Sequence, residues 1–345
     1  MAECRQFATK TPIRFRMVAK KLQRIVTLDK KITGGMELLI RRVLIVTVGL
    51  AVILGSVFLV RGLQGPVRVQ MGSTADLAAY FEDIDYTANS LQAGDPVVPR
   101  VWIADVPANW SEGLTVDQKK SLFYRALLPM ALHVNEEIMA DRERLDRLSA
   151  ELTQNKTVSG ADQKWFEGLA RGYGLSARAG EERVRLTKQA AGALLRRVDA
   201  IPPSLVLAQG AVESAYGSSR FAVEGNSLFG QWHFGKGLVP AQQRTELGDY
   251  RIATFDSPLD SIRSYAKNLN SNRAYIPFRT MRADARAQGR SLRGAPLAGG
   301  LLAYSEKGEE YVSLLRSLIT RNQLSMTDGA KLREMRTVQV EIAPF

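Results

Sequence analysis

Sulfur chemistry is nearly absent from this chain: its 345 residues include one cysteine, Cys4. Everything after that residue lacks a thiol, which rules out an internal disulfide and a cysteine nucleophile there. Histidine is almost as scarce, with only His133 and His233. They stand far apart, so no zinc-ligand spacing exists. Internal repeats and low-complexity tracts are also missing, which argues against solenoids and arrays.

Basic charge is abundant, at +12 net, but unevenly spread. Residues 1–42 carry 11 Lys and Arg against 3 acidic residues. The remainder carries 36 against 32, close to balance. No base-stacking aromatics interleave the basic segment, so nucleic acid is not the expected partner. The segment instead precedes "VLIVTVGLAVILGSVFLV", residues 43–60, which contain no charge and are flanked by Arg41, Arg42 and Arg61. That length reads as a transmembrane helix, and the basic flank predicts a cytoplasmic N-terminus. The long basic lead and the missing A-x-A site favour an uncleaved anchor over a signal peptide. The expected location is the inner membrane, single-pass, with the bulk of the chain periplasmic.

Residues 61–114 read as a linker and a short extended region, punctuated by prolines in "PVVPRVWIADVP". Thr115 and Gln118 form a capping box ahead of a long amphipathic pattern through Leu127, Ala131, Val134, Ile138, Leu145 and Leu148. Pro129 is the point where that helix would kink or restart. "EERVRLTKQAAGALLRRV" predicts another helix. "IPPSLVLAQGAVESAYG" predicts a helix entering at Pro202–Pro203, with Ser204 near its N-cap and Gly217 past its end. "QQRTELGDYRIATF" predicts two short strands around Gly248–Asp249. Ser257, Pro258 and Asp260 mark the start of a further helix, and "YSEKGEEYVSLLRSLI" a late one. Residues 326–345 read as a C-terminal tail.

Glu213 is the odd residue. It falls in the last helical turn, where unpaired carbonyls disfavour a negative charge. Two readings follow. It is a surface glutamate at a small cost, or a carboxyl whose raised pKa suits general acid catalysis. Glu246, at the expected hairpin turn, is either a solvated turn residue or a second carboxylate facing the first. Tyr216, Phe229, Trp232, Tyr250 and Tyr275 are core residues or sugar-stacking platforms.

The stretch "ESAYGSSRFAVEGNSLFG" is similar to E-S-x-[WY]-G-x-S-x-[FA]-A-x-x-x-N-N-L-F-G, a signature of the glucosaminidases of glycoside hydrolase family 73, and with its long leading helix most resembles the Bax-type branch. Two positions depart from it, Ser227 for the second Asn and Tyr216 for Trp. The resemblance covers roughly residues 115–325. It implies a mostly helical, lysozyme-like α+β domain with a small β-hairpin lobe, following one transmembrane helix. It implies cleavage of the β-1,4 bond between N-acetylglucosamine and N-acetylmuramic acid in peptidoglycan glycan strands. In this reading Glu213 is the general acid. Glu246 positions water or stabilises charge, and Tyr275 lies near the acetamido group. Tyr216, Asn226, Phe229, Trp232 and Tyr250 are the expected substrate contacts. The alternatives are a lytic transglycosylase or muramidase, and a noncatalytic peptidoglycan-binding protein.

Overall fold

A computed structural model describes residues 65–343 except 95, 176–182, 235 and 241–249. The basic segment 1–42 and the expected span 43–60 lie outside the described residues. Among the described residues no helix is long and apolar enough to cross a membrane. Residues Pro66–Phe345 form a compact unit of their own. It is a mostly helical α+β structure with three small sheets.

The chain runs β1 (Val67–Met71), α1 (Thr74–Asp83), β2 (Val97–Val98), β3 (Val101–Ile103), then the long α2 (Val116–Thr153). There follow α3 (Gly160–Gly172), α4 (Lys188–Leu195), α5 (Pro203–Ser214), α6 (Arg220–Gly225), β4 (Trp232–Phe234) and β5 (Tyr250–Ile252). The last third carries α7 (Pro258–Ser271), α8 (Ile276–Ala287), the one-turn α9 (Gly294–Leu297), α10 (Glu309–Arg321), β6 (Lys331–Leu332) and β7 (Val338–Ile342).

The helix α2 starts as its capping box dictates. Thr115 Oγ1 accepts from the Gln118 N–H at 3.3 Å, and Gln118 Oε1 accepts from the Thr115 N–H at 2.9 Å. Its 38 residues span about 57 Å at 1.5 Å per residue. The helix continues through Pro129. Residues 122–132 are buried on every side, and that burial offsets the roughly 3 kcal/mol cost of an interior proline. Helices α4, α5 and α7 and strand β3 all pack on it. His133, within α2, stacks on Trp102 at 4.7 Å and lies 3.3 Å from the Glu137 carboxylate. Among the described residues no three His, Cys, Asp or Glu side chains gather as a metal site would require.

The segments expected as linker and tail are instead structural. β7 is the middle strand of a three-stranded parallel sheet, ordered β1-β7-β3. β2 and β6 form a second parallel pair. Val338 and Val340 face the core, whose N-terminal contributions include Leu77, Phe81 and Val101. A five-residue strand with partners hundreds of positions away leaves only a weak local signal.

One further expectation is corrected. The helix at "EERVRLTKQAAGALLRRV" begins only at Lys188, because Thr187 caps it by accepting from the Ala190 N–H. The hairpin pairs β5 with β4, in the register Trp232–Ile252, His233–Arg251 and Phe234–Tyr250. β5 thus takes a partner from the motif region, and the run before Gly248 lies outside the described residues. Ser257 caps α7 as expected, accepting from the Asp260 N–H at 3.2 Å.

Candidate active site

The helix α5 carries Glu213 and is buried along residues 203–211. Its start is not capped by Ser204, which lies inside the helix. The Ser204 N–H donates to the carboxylate of Asp328 at 2.9 Å, and the Gly294 N–H donates to that carboxylate's other oxygen at 3.0 Å. Gly210 lets α5 approach α2 closely: a Cβ there would stand 2.8 Å from the tip of Leu127.

The end of α5 is unusual. Ala215, Tyr216 and Gly217 all have positive φ, at 50°, 59° and 82°. Two consecutive non-glycine residues in that region store strain that the surroundings must hold. Ser214 holds it from within, donating to the Gly210 carbonyl at 2.6 Å and accepting from the Gly217 N–H at 2.8 Å. Trp110 holds it from outside, donating from Nε1 to the Tyr216 carbonyl at 2.7 Å. Its indole nitrogen would lie 2.7 Å from a Cβ on Gly217, so only glycine fits.

This turn fixes Glu213. Tyr311 of α10 donates to Glu213 Oε1 at 2.7 Å. Tyr311 in turn accepts from Gln209 Nε2 at 3.0 Å, and Gln209 Oε1 accepts from Tyr265 of α7 at 2.6 Å. Gln209 and Tyr265 are fully buried, and Tyr311 nearly so. A chain of hydrogen bonds therefore runs from α7 through α5 to the carboxyl. The second oxygen, Oε2, lies 3.7 Å from where a Cβ on Gly230 would be.

Burial raises the Glu213 pKa, and the bond from Tyr311 partly opposes it. Its place at a helix C-terminus acts in the same direction as burial. Four tyrosines, the buried Tyr265, Tyr275 and Tyr311 and the half-buried Tyr304, are raised first by desolvation and further by the Glu213 charge. Their rings form one cluster. Tyr304 stacks on Tyr311 at 5.6 Å, and Tyr275 tilts against Tyr304 at 5.9 Å. A carboxyl so enclosed keeps its proton over a wider pH range and can deliver it to a leaving oxygen.

Tyr311→Phe removes the one bond from Tyr311 that stabilises the charged form. The Glu213 pKa is expected to rise further. The alkaline limb of a kcat/KM profile, set by loss of the acid's proton, then moves to higher pH. A pH–rate series on the variant measures this, and a limb that stays put or moves down contradicts the assignment.

The other sequence-selected residues fall into separate groups. Tyr275 joins the tyrosine cluster on the turn after α7. Trp232 is 53% exposed and stacks on the buried Tyr250 at 4.5 Å, an aromatic face open to a ligand. Phe229 is buried and stacks on Tyr265 at 4.0 Å, a core position. Tyr216 sets its ring edge-on to Phe123 and Tyr124 of α2. Asn226, at positive φ, is a joint. Its Oδ1 accepts from the Val106 N–H, and its Nδ2 donates to Asp105 and to the Phe255 carbonyl. Glu246 lies outside the described residues.

Much of the motif thus builds the support for Glu213. Ser219 caps α6, Ala222 is fully buried and Gly230 takes a φ of 59° beside the carboxyl. Ser227, which replaces the second Asn of the pattern, is buried with no hydrogen-bond partner for its hydroxyl among the described residues. The residues missed from sequence are Gln209, Tyr265, Tyr304 and Tyr311. Gln209 alone had a local signal, an amide one turn before Glu213 within the apolar run Leu205–Val212.

A half-buried, hydrogen-bonded carboxyl under a strained turn, with an exposed aromatic face on the nearby strand β4, is an arrangement that a glycosidase can use. The match with known families agrees. Residues 188–324 match the family described as "Glucosaminidase: Mannosyl-glycoprotein endo-beta-N-acetylglucosaminidase". Protein bax of Escherichia coli (strain K12) is 28% identical over 205 residues, covering 59% of this chain and 70% of that protein. The catalytic domain of the autolysin Auto from Listeria monocytogenes aligns with 53% of this chain and 97% of its own length, at 18% identity and a TM-score of 0.29. Residues 188–324 thus match a glucosaminidase domain, and the chain is similar to Protein bax over 205 residues.

Proposed function

We propose that this protein is a peptidoglycan hydrolase with a lysozyme-like catalytic domain. It cleaves the β-1,4 bond that follows N-acetylglucosamine, with Glu213 as general acid. The observation that carries this reading is the state of Glu213: enclosed by tyrosines, raised in pKa and lying within the glucosaminidase-matched segment. The Trp232–Tyr250 stack supplies a platform for a sugar ring beyond it. Tyr275 belongs near the substrate's acetamido group, and Glu246 near the attacking water. The segment 43–60 anchors the protein in the inner membrane, with the catalytic unit periplasmic.

Digestion of purified sacculi by the full chain tests the bond assignment. The expected products end in reducing N-acetylglucosamine. Anhydromuramic ends would instead assign a lytic transglycosylase. Absence of products with retained sacculus binding would assign a noncatalytic binding protein.

A further inference from the structure

A second cleft, of about 530 Å³, opens where α2, α3 and α7 meet. Its lining differs in kind from the tyrosine-enclosed site. Helix α2 contributes Glu137 and Asp141, α7 contributes Arg263 and Lys267, and α3 contributes Lys164 and Trp165. Glu137 and Arg263 neutralise each other through two bonds, at 2.9 and 2.6 Å. Burial alone would raise Glu137, but Arg263 and His133 outweigh it and hold the pKa at about 2.

Asp141 and Lys267 are different. Both are half-buried and face the same cleft, with no ion pair between them. Lys267 Nζ sits 3.6 Å above the Tyr173 ring. Gly172 makes room for it, since a Cβ there would lie 2.9 Å from that nitrogen. Burial raises Asp141 and lowers Lys267, the mark of charges that have lost water without gaining a full partner. Two desolvated opposite charges normally close on each other, because leaving them apart is costly. Held apart by three helices, they leave a gap that a ligand can bridge.

The charge count defines the ligand. With the Glu137–Arg263 pair set aside, one carboxylate faces two ammonium groups, Lys164 and Lys267. Trp165 supplies an apolar wall, itself backed by the Arg144 guanidinium at 4.3 Å. We propose that this cleft binds an α-amino-acid zwitterion bearing a second carboxylate, with its ammonium on Asp141, its carboxylates on Lys267 and Lys164, and its stem against Trp165. Such a group occurs as a free acidic amino acid, and in an acidic peptide carried on a glycan strand where a side chain itself ends in an ammonium and a carboxylate on one carbon. The second source rests on the peptidoglycan reading, the first does not.

The test is calorimetric titration of the full chain carrying Glu213→Gln, so that glycan is not consumed. The probes are free D-glutamate, free lysine, and soluble uncrosslinked glycan fragments with and without their peptides. Saturable binding tighter than about 1 mM by D-glutamate, or by the peptide-bearing fragment alone, is the expected result and identifies the source. Lysine should bind at least about tenfold more weakly, since its second ammonium meets two others. Asp141→Asn and Lys267→Met should each abolish saturation while retaining the parent melting temperature. No saturation by either acidic probe, or equal binding by both variants, overturns the proposal. Hydrolysis by the wild-type chain is scored separately, so failure of the glycosidase reading is distinct from failure of the cleft.

Discussion

Replacing Glu213 with Gln is expected to lower sacculus hydrolysis by about 10²–10⁴-fold, the usual contribution of a positioned general acid. The amide keeps the shape of the carboxyl and can still accept the Tyr311 hydroxyl through Oε1, so the tyrosine cluster stays in place. What it loses is the proton to deliver. Activity within tenfold of the parent in a reducing-end assay would remove Glu213 from that role.

The same variant carries a stability signature with a definite sign. The Glu213 pKa is raised above its ordinary value of 4.5, so the folded state binds the proton more tightly than the unfolded state. Stability from this residue is therefore full below pH 4.5 and falls as pH rises through the folded pKa. Glu213→Gln escapes that loss. It should melt higher than the parent at neutral pH and equally with it below pH 4, where both side chains are neutral. A merely structural glutamate at a solvated helix end would show no such crossover.

The second large effect lies far from the site. Removing residues 330–345 is expected to prevent the domain from folding. The deletion takes away β6 and β7, and with them the strand that joins β1 to β3. The Val67 N–H loses the Thr337 carbonyl, and the Ala104 N–H loses the Val340 carbonyl. Three buried apolar side chains go as well, Leu332, Val338 and Val340. At about 1.5–3 kcal/mol each, they match a large part of the 5–15 kcal/mol that holds a typical domain. Thermal melting by circular dichroism checks this. Val340→Lys is the companion variant, placing an unpaired charge at a fully buried position without shortening the chain. A soluble, cooperatively melting deletion product would show that β7 is dispensable.

Local chemistry made part of this structure readable in advance. The caps at Thr115 and Ser257 involve a side chain and a backbone group three residues apart, so three letters suffice to find them. The last-turn position of Glu213 and the break after it were readable for the same reason. Long-range pairing was not. β7 is a plain alternation of five residues whose partners sit more than two hundred positions earlier. The pairing of β5 with β4, a strand ending at Phe234, had no local signal either. The hydrogen-bonded chain from Tyr265 to Glu213 joins three helices, with Tyr311 lying 98 residues from the carboxyl it serves. No spacing rule links such positions. The motif itself proved more architectural than chemical: Asn226 and Phe229 are used up in joints and packing, and Glu213 is the member with chemistry to offer.

The helix α2 sets a lower bound on what can stand alone. The segment that matches the glucosaminidase family model starts at residue 188, after α2 has ended. Yet α4, α5 and α7 rest on that helix, and Leu127 fills the notch left by Gly210, one turn before Glu213. Cut at the family boundary, the piece would expose the apolar floor beneath its own acid. The segment matched by the family model and the unit that folds are therefore different lengths. An accessory helix that looks like an upstream spacer is the foundation on which the Glu213 carboxyl is held still.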